Sequence, residues 1–204
     1  MTSDPLSPLC LATAHLSALR HHLLTLFASL AYQEGDFVLS SGQPSPYYIN
    51  GKKVTLTAEG ALAVGRLLLA ELPSTAIAVA GLTLGADPLV TAVSVVSAYE
   101  NRPVAALIIR KEAKGHGTKA YIEGPDLPVG AKVVVLEDVV TTGKSAMLAV
   151  ERLRDAGYQV NEVITLVDRE QGGAEFYRSQ GLTFRALFSI TEIQAIARDL
   201  YSQK

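Results

Sequence analysis

The chain has 204 residues, 49% of them hydrophobic and 19% charged, enough to bury a substantial core in one domain and too apolar for a disordered or low-complexity chain. With 18 basic and 20 acidic side chains the net charge is −2, so no global field draws the protein to nucleic acid or to an anionic membrane. The single cysteine, Cys10, excludes an internal disulfide framework and a cysteine-built zinc site; a small, half-buried apolar role is expected for it. Asp4 and two prolines stand in residues 1–9 where a secretory leader would have a basic and then an apolar stretch, and no later apolar run is long enough to span a bilayer. The expectation is a soluble, cytoplasmic protein that binds neither nucleic acid nor membrane.

Residues 11–31 place Leu16, Leu19, Leu23, Leu26, Phe27 and Leu30 near the helical period and predict one amphipathic helix. His15, His21 and His22 lie along it without an acid or cysteine at ligand spacing, and are expected on a solvated face. Residues 36–39 and 46–50 read as two short strands around the turn 40–45, a hairpin able to cover the main sheet. From residue 58 helices and apolar strands alternate: helix 59–71, strand 77–80, helix 88–99, strand 104–109, strand 132–136, helix 145–156, strand 160–167, helix 174–179, strand 183–189 and helix 191–200. That rhythm predicts an α/β fold, a doubly wound, mostly parallel sheet flanked by helices. The whole of 1–204 is one domain, with the N-terminal helix and hairpin in 1–57 and the α/β core in 58–204. Residues 111–131 break the rhythm: this long, glycine-bearing connection carries Lys111, Lys114, His116 and Lys119, and its length and charge suit a lid.

The segment VVVLEDVVTTGKS, residues 133–145, carries the most chemistry. A β-branched run leads through Glu137 and Asp138, then Val139 and Val140, into Thr141, Thr142, Gly143, Lys144 and Ser145, where helical spacing begins. Ligands of open α/β sheets bind at such carboxyl ends of strands. The two acids suit a vicinal diol, while the hydroxyls and free amides of a helix N-terminus suit an anion, so the segment fits a sugar phosphate. No glycine precedes Gly143 at Walker spacing, which argues against a P-loop nucleotidase. A second cluster, Arg110, Lys111, Lys114 and His116, sets four potential cations within seven residues at a strand end.

Residues 133–145 resemble the phosphoribosyl pyrophosphate (PRPP) loop of type I phosphoribosyltransferases, and RKEAKGHG, residues 110–117, closely resembles the catalytic loop of the orotate phosphoribosyltransferases. Three further stretches point to the same family. Phe37 to Gly42 with Ser45, Pro46, Tyr47, Tyr48, Ile49 and Asn50 is similar to its N-terminal hood. Gly81, Leu82, Thr83, Leu84 and Gly85 are placed like its pyrophosphate loop, and Val167, Asp168 and Arg169 resemble the strand end that reads the orotate carboxylate. The likeness runs from about residue 34 to 190. It departs at Ser40, where many members have a lysine that Lys52 or Lys53 could replace, and at Leu84 and Gly85, where many have a tyrosine and a lysine.

The resemblance implies transfer of the 5-phosphoribosyl group from PRPP to orotate, with Mg2+, giving orotidine 5′-monophosphate and pyrophosphate in pyrimidine biosynthesis. It assigns Arg110, Lys111, Lys114 and His116 to the pyrophosphate and Glu137 and Asp138 to the ribose hydroxyls. Val139, Val140, Thr141, Thr142, Gly143, Lys144 and Ser145 fall to the 5′-phosphate end, and Thr141, Arg169, Tyr47 and Tyr48 to orotate. It further implies a homodimer whose lid loops are shared between subunits, and Mg2+ held through PRPP and not in a protein cage. The alternatives are a phosphoribosyltransferase for a purine or for uracil, and a PRPP-sensing regulator that binds nucleic acid; the carboxylate-reading arginine and the absence of a basic face speak against them.

Overall fold

Apolar runs between residues 78 and 189 pair side by side into the expected sheet. The computed structural model describes residues 8–38, 42, 44–114 and 121–202, the side chains of residues 8–10 excepted. Strands β3 (Ala78–Leu82), β4 (Ala105–Ile109), β6 (Val133–Val140), β7 (Glu162–Asp168) and β8 (Thr183–Ser189) are parallel, and β5 (Ile122–Glu123) adds an antiparallel edge, in the order β5-β4-β3-β6-β7-β8. The chain passes from β3 to β4 on one side and returns to β6 on the other. The strand order therefore reverses between β3 and β6, which opens a crevice at their carboxyl ends.

Helices cover both faces, as buried parallel strands require. One face packs on α2 (Leu16–Leu26), α4 (Ala58–Glu71), α5 (Asp87–Tyr99) and α8 (Ile190–Ser202), through residues such as Leu23, Leu68, Leu89 and Ile193. The other packs on α6 (Lys144–Asp155) and α7 (Gly173–Ser179), through Ala149, Leu153 and Tyr177. An antiparallel hairpin, β1 (Tyr32–Val38) with β2 (Pro44–Ile49), stands beside the sheet as the hood, followed by the short α3 (Lys52–Thr55). No helix of the described residues is long and apolar enough to cross a membrane.

Four expectations are corrected. The predicted helix 11–31 is split into α1 (Pro8–Thr13), α2 and a π-helical turn (Phe27–Ala31). His15 caps α2 by accepting from the Ser17 amide, and Arg66 takes the carbonyls of Leu11 (2.7 Å) and Ala14 (2.8 Å) at the break. His22 is not on a solvated face; its side chain is largely buried, with Nε2 3.5 Å from Glu59. The strand expected at 132–136 continues to Val140, because Glu137, Val139 and Val140 keep their ladder with Thr165, Val167 and Asp168 of β7. The stretch 111–131, expected as loop throughout, contains β5, which pairs Ile122 with Ile109 and Glu123 with Ile108.

Candidate active site

Gly143 ends the β6–α6 turn in the left-handed region, at φ 84°, and forms the N-terminal cap of α6 without a side-chain hydrogen bond. A Cβ at this position would lie 2.9 Å from Cζ of Tyr177 and 2.8 Å from Cδ1 of Phe176, so glycine alone lets the turn fold down on α7. No side chain of the described residues caps the start of α6, so its first amides are available to a ligand, beside the hydroxyls of Thr141, Thr142 and Ser145. These residues, with Val139, Val140 and Lys144, line a cavity of about 400 Å³ that Glu137, Arg169, Tyr177, Val38 and Tyr48 complete.

The two acids differ. Burial pushes the Glu137 carboxyl up to about 8, helped by the neighbouring Asp138 carboxylate and opposed by the charges of Lys111 and Lys52. One Glu137 oxygen, Oε2, has no hydrogen-bond partner among the described residues. Asp138 is better served: its Oδ1 accepts from the Val139 amide at 2.9 Å and its Oδ2 lies 3.8 Å from Nζ of Lys52. A Cβ on Gly85 would fall 2.6 Å from Oδ1 of Asp138, so the segment 81–88 can approach this carboxylate only because residue 85 has no side chain. Lys52 thus reaches the acid pair, whereas Lys53 makes no ion pair among the described residues.

Arg169 follows β7, its amide bonded to the Val140 carbonyl at 2.9 Å, which brings the end of β7 beside the β6–α6 turn. The residue is 6% exposed, yet among the described residues no carboxylate lies within ion-pair distance of it. Its guanidinium donates to Oγ of Ser45 (2.9 Å) and to the Tyr47 hydroxyl (3.3 Å) and stands 4.6 Å over the Tyr47 ring. Tyr48, on the opposite face of β2, is half-exposed and borders the cavity. Tyr47 does not; it is buried between Arg169 and Tyr32.

The cationic cluster lies at the sheet edge. Arg110 Nη1 and Lys114 Nζ share one oxygen of Glu123, at 3.1 and 3.7 Å, while Lys111 reaches toward Glu137 by charge alone. His116, with the neighbouring Gly115, Gly117 and Lys119, and Ser40 of the hood turn lie outside the described residues. Several contributors are not assigned by sequence reasoning. Arg152 of α6 donates to the carbonyls of Arg110 and Lys111 and stacks 3.9 Å over Tyr121, and nothing in a helical arginine announces this. Tyr177, fully buried with a hydroxyl that has no partner among the described residues, reads in sequence as an ordinary core aromatic. Glu123 sits in a strand too short to show a period.

No protein-family model matches the chain. It is 76% identical over 188 residues, 92% of its length and 95% of the relative's, to an orotate phosphoribosyltransferase of Synechocystis sp.. Among solved structures it resembles Mycobacterium tuberculosis orotate phosphoribosyltransferase in complex with Fe(III) dicitrate, with a TM-score of 0.75 and 38% identity over 86% of this chain and 98% of that one. The same enzyme in complex with PRPP gives a TM-score of 0.70 at 35% identity, over 86% and 99%. Glu137, the start of α6 and the buried Arg169 line one cavity, in keeping with these likenesses, and the chain belongs to the orotate phosphoribosyltransferase family.

Proposed function

We propose that the cavity between the hood and the β6–α6 turn is where the chain transfers the phosphoribosyl group of PRPP to orotate, with the roles divided as follows. Thr141, Thr142, Gly143, Lys144 and Ser145 hold the 5′-phosphate through amides, hydroxyls and one lysine charge, and Val139 and Val140 supply the strand that carries this turn. Glu137 and Asp138 take the ribose hydroxyls. Arg169 takes the orotate carboxylate, and Tyr48 and Thr141 border the base. Arg110, Lys111, Lys114 and His116 meet the diphosphate, whose charge grows as the bond to C1′ breaks.

One observation carries this reading: a buried guanidinium without a protein carboxylate opens on the same cavity as an uncapped helix start. A buried cation is costly unless paired, and a planar carboxylate matches the arginine fork. Orotate, unlike uracil or a purine, brings that carboxylate. Because orotate also has an acidic ring nitrogen, the site needs charge placement more than a strong base.

Among the described residues no group of three or more acidic, histidine or cysteine side chains could hold a metal ion. Two adjacent acids fit a hard ion that retains its waters and is held largely by substrate oxygens, with Asp138, beside Gly85, as the accessible protein carboxylate. When bound with PRPP, Mg2+ supplies charge neutralisation for the departing diphosphate.

A homodimer completes the reading. A groove of about 720 Å³ between α3, α4 and α5 leaves Leu56, Leu84 and Val95 more than half exposed, and it adjoins Lys52 and Leu84 at the margin of the site. A second copy seated there covers this apolar surface and stands where its lid loop reaches the neighbouring cavity. The enzyme works in the cytoplasm on soluble substrates. The test is loss of orotate ultraviolet absorbance with PRPP and Mg2+, beside uracil, adenine and hypoxanthine. Consumption of orotate alone supports the assignment, and use of uracil at a comparable rate removes Arg169 from it.

A further inference from the structure

Along β2 burial alternates: Ser45, Tyr47 and Ile49 face inward while Pro44, Pro46 and Tyr48 face out. Two of the inward residues meet the same cation. The Ser45 hydroxyl donates to the Tyr47 carbonyl at 2.6 Å, which orients its remaining lone pairs, and it accepts from Nη2 of Arg169 at 2.9 Å. The Tyr47 hydroxyl accepts from Nε of Arg169 at 3.3 Å, and its ring lies against the guanidinium. Two hydrogen bonds and one ring fix the plane of a group that otherwise swings on a long side chain. Nη1 makes no hydrogen bond among the described residues, so the fork keeps an edge for the cavity that Arg169 lines.

We propose that Ser45 and Tyr47 are positioning residues for base recognition: their hydroxyls aim Arg169, and the hood thereby sets the selectivity for a carboxylate-bearing base without Tyr47 stacking on it. The inference rests on the assignment of Arg169 to the orotate carboxylate. It also changes the role of Tyr47 from base contact to support, and leaves Tyr48 as the hood aromatic at the base. A carboxylate held by a misaimed guanidinium loses one of its two parallel bonds, so the defect falls on affinity for orotate and not on PRPP, which is held by other elements.

The experiment measures kcat and KM for both substrates, with thermal melts, in Ser45→Ala, Ser45→Thr, Tyr47→Phe, Arg169→Ala and the double variant Ser45→Ala with Arg169→Ala. Ser45→Ala and Tyr47→Phe are expected to raise KM for orotate about tenfold or more, the size of one lost hydrogen bond to a charged group, and to leave KM for PRPP within about twofold. Ser45→Thr restores orotate affinity. In the Arg169→Ala background, Ser45→Ala adds nothing, because the group it aims is gone. Tyr47→Phe keeps the ring and tests the idea should Ser45→Ala fail to fold. Folded Ser45→Ala and Tyr47→Phe proteins with wild-type KM for orotate, beside an impaired Arg169→Ala, would overturn the positioning role and leave the carboxylate assignment standing. Equal losses for both substrates, or a lowered melting temperature alone, would reduce the pair to hood packing. An Arg169→Ala protein with unchanged KM for orotate would remove the carboxylate assignment and the inference with it.

Discussion

Glu137 and Asp138 are consecutive on β6 but unequally buried, and Glu137, the more buried of the two, carries the raised pKa. The cause is mainly burial, with the Asp138 charge second, and the result is a carboxyl pushed up to about 8 from 4.5. The folded protein therefore holds a proton that the unfolded chain has released, across the window between these values. Stability from this group is complete below about pH 4.5 and is lost as pH rises toward 8. Replacing Glu137 with Gln removes that slope. Melts from pH 5 to 8.5 should show the wild-type protein losing stability relative to Glu137→Gln as pH rises; parallel curves would mean that Glu137 is ionised in the free protein.

Lys114 stands at the end of the described part of the lid, its side chain 71% exposed and 3.7 Å from Glu123. An exposed pair of this kind adds little to stability, so Lys114→Ala should melt with the wild type. If the ammonium meets the leaving diphosphate, turnover falls at least about tenfold, or roughly 1.4 kcal/mol of transition-state stabilisation. Turnover at saturating PRPP and orotate decides. A wild-type rate would take Lys114 out of the leaving-group site.

Gly85 and Gly143 should fail differently. Alanine at 143 must adopt φ 84° and push against the ring of Tyr177, a cost of about 2 kcal/mol, seen as a drop in Tm of roughly 4–8 °C. Alanine at 85 meets no positive φ, but its Cβ falls on the Asp138 carboxylate. Its effect belongs to substrate binding: KM for PRPP should rise about tenfold, 1.4 kcal/mol, with little change in melting. Circular-dichroism melts and initial rates on the two variants separate the cases, and a Gly85→Ala protein with normal PRPP kinetics would dissociate Asp138 from the ribose.

What could be read in the sequence tracks how local the physics is. The β6–α6 segment was legible because a β-branched run, two acids and a glycine turn are contiguous, and each dictates its own backbone. Periodicity located the strands of the parallel sheet for the same reason, and the family likeness supplied the roles proposed for Arg110, Lys111, Lys114, His116 and Arg169. The extension of β6 to Val140 was not legible, since it depends on a ladder with β7 that overrides the end of the apolar run. Nor was the buried face of β2: Tyr47 and Tyr48 are adjacent aromatics, and only the pleat sends one to Arg169 and the other to the cavity. The contacts of Arg152 join residues 41 and 42 positions apart, a distance over which composition and spacing carry no information.

The groove between α3, α4 and α5 makes the proposed dimer testable at a residue remote from the chemistry. Val95 on α5 is 54% exposed and lines the groove beside Leu84, which is 67% exposed. A carboxylate at 95 costs nothing in a monomer, where it is solvated, and is buried without a partner if a second copy covers the groove. Val95→Asp should therefore shift sedimentation toward a single-chain mass while its melting and circular dichroism stay those of a folded protein. Activity should fall with it if the neighbour supplies the lid, as proposed. Mixing Lys114→Ala with Glu137→Gln, where each alone proves impaired, offers the complementary readout: in a mixed dimer one cavity combines an intact acid pair with an intact lid, and part of the activity returns. A Val95→Asp protein of unchanged mass and rate would place the subunit contact elsewhere.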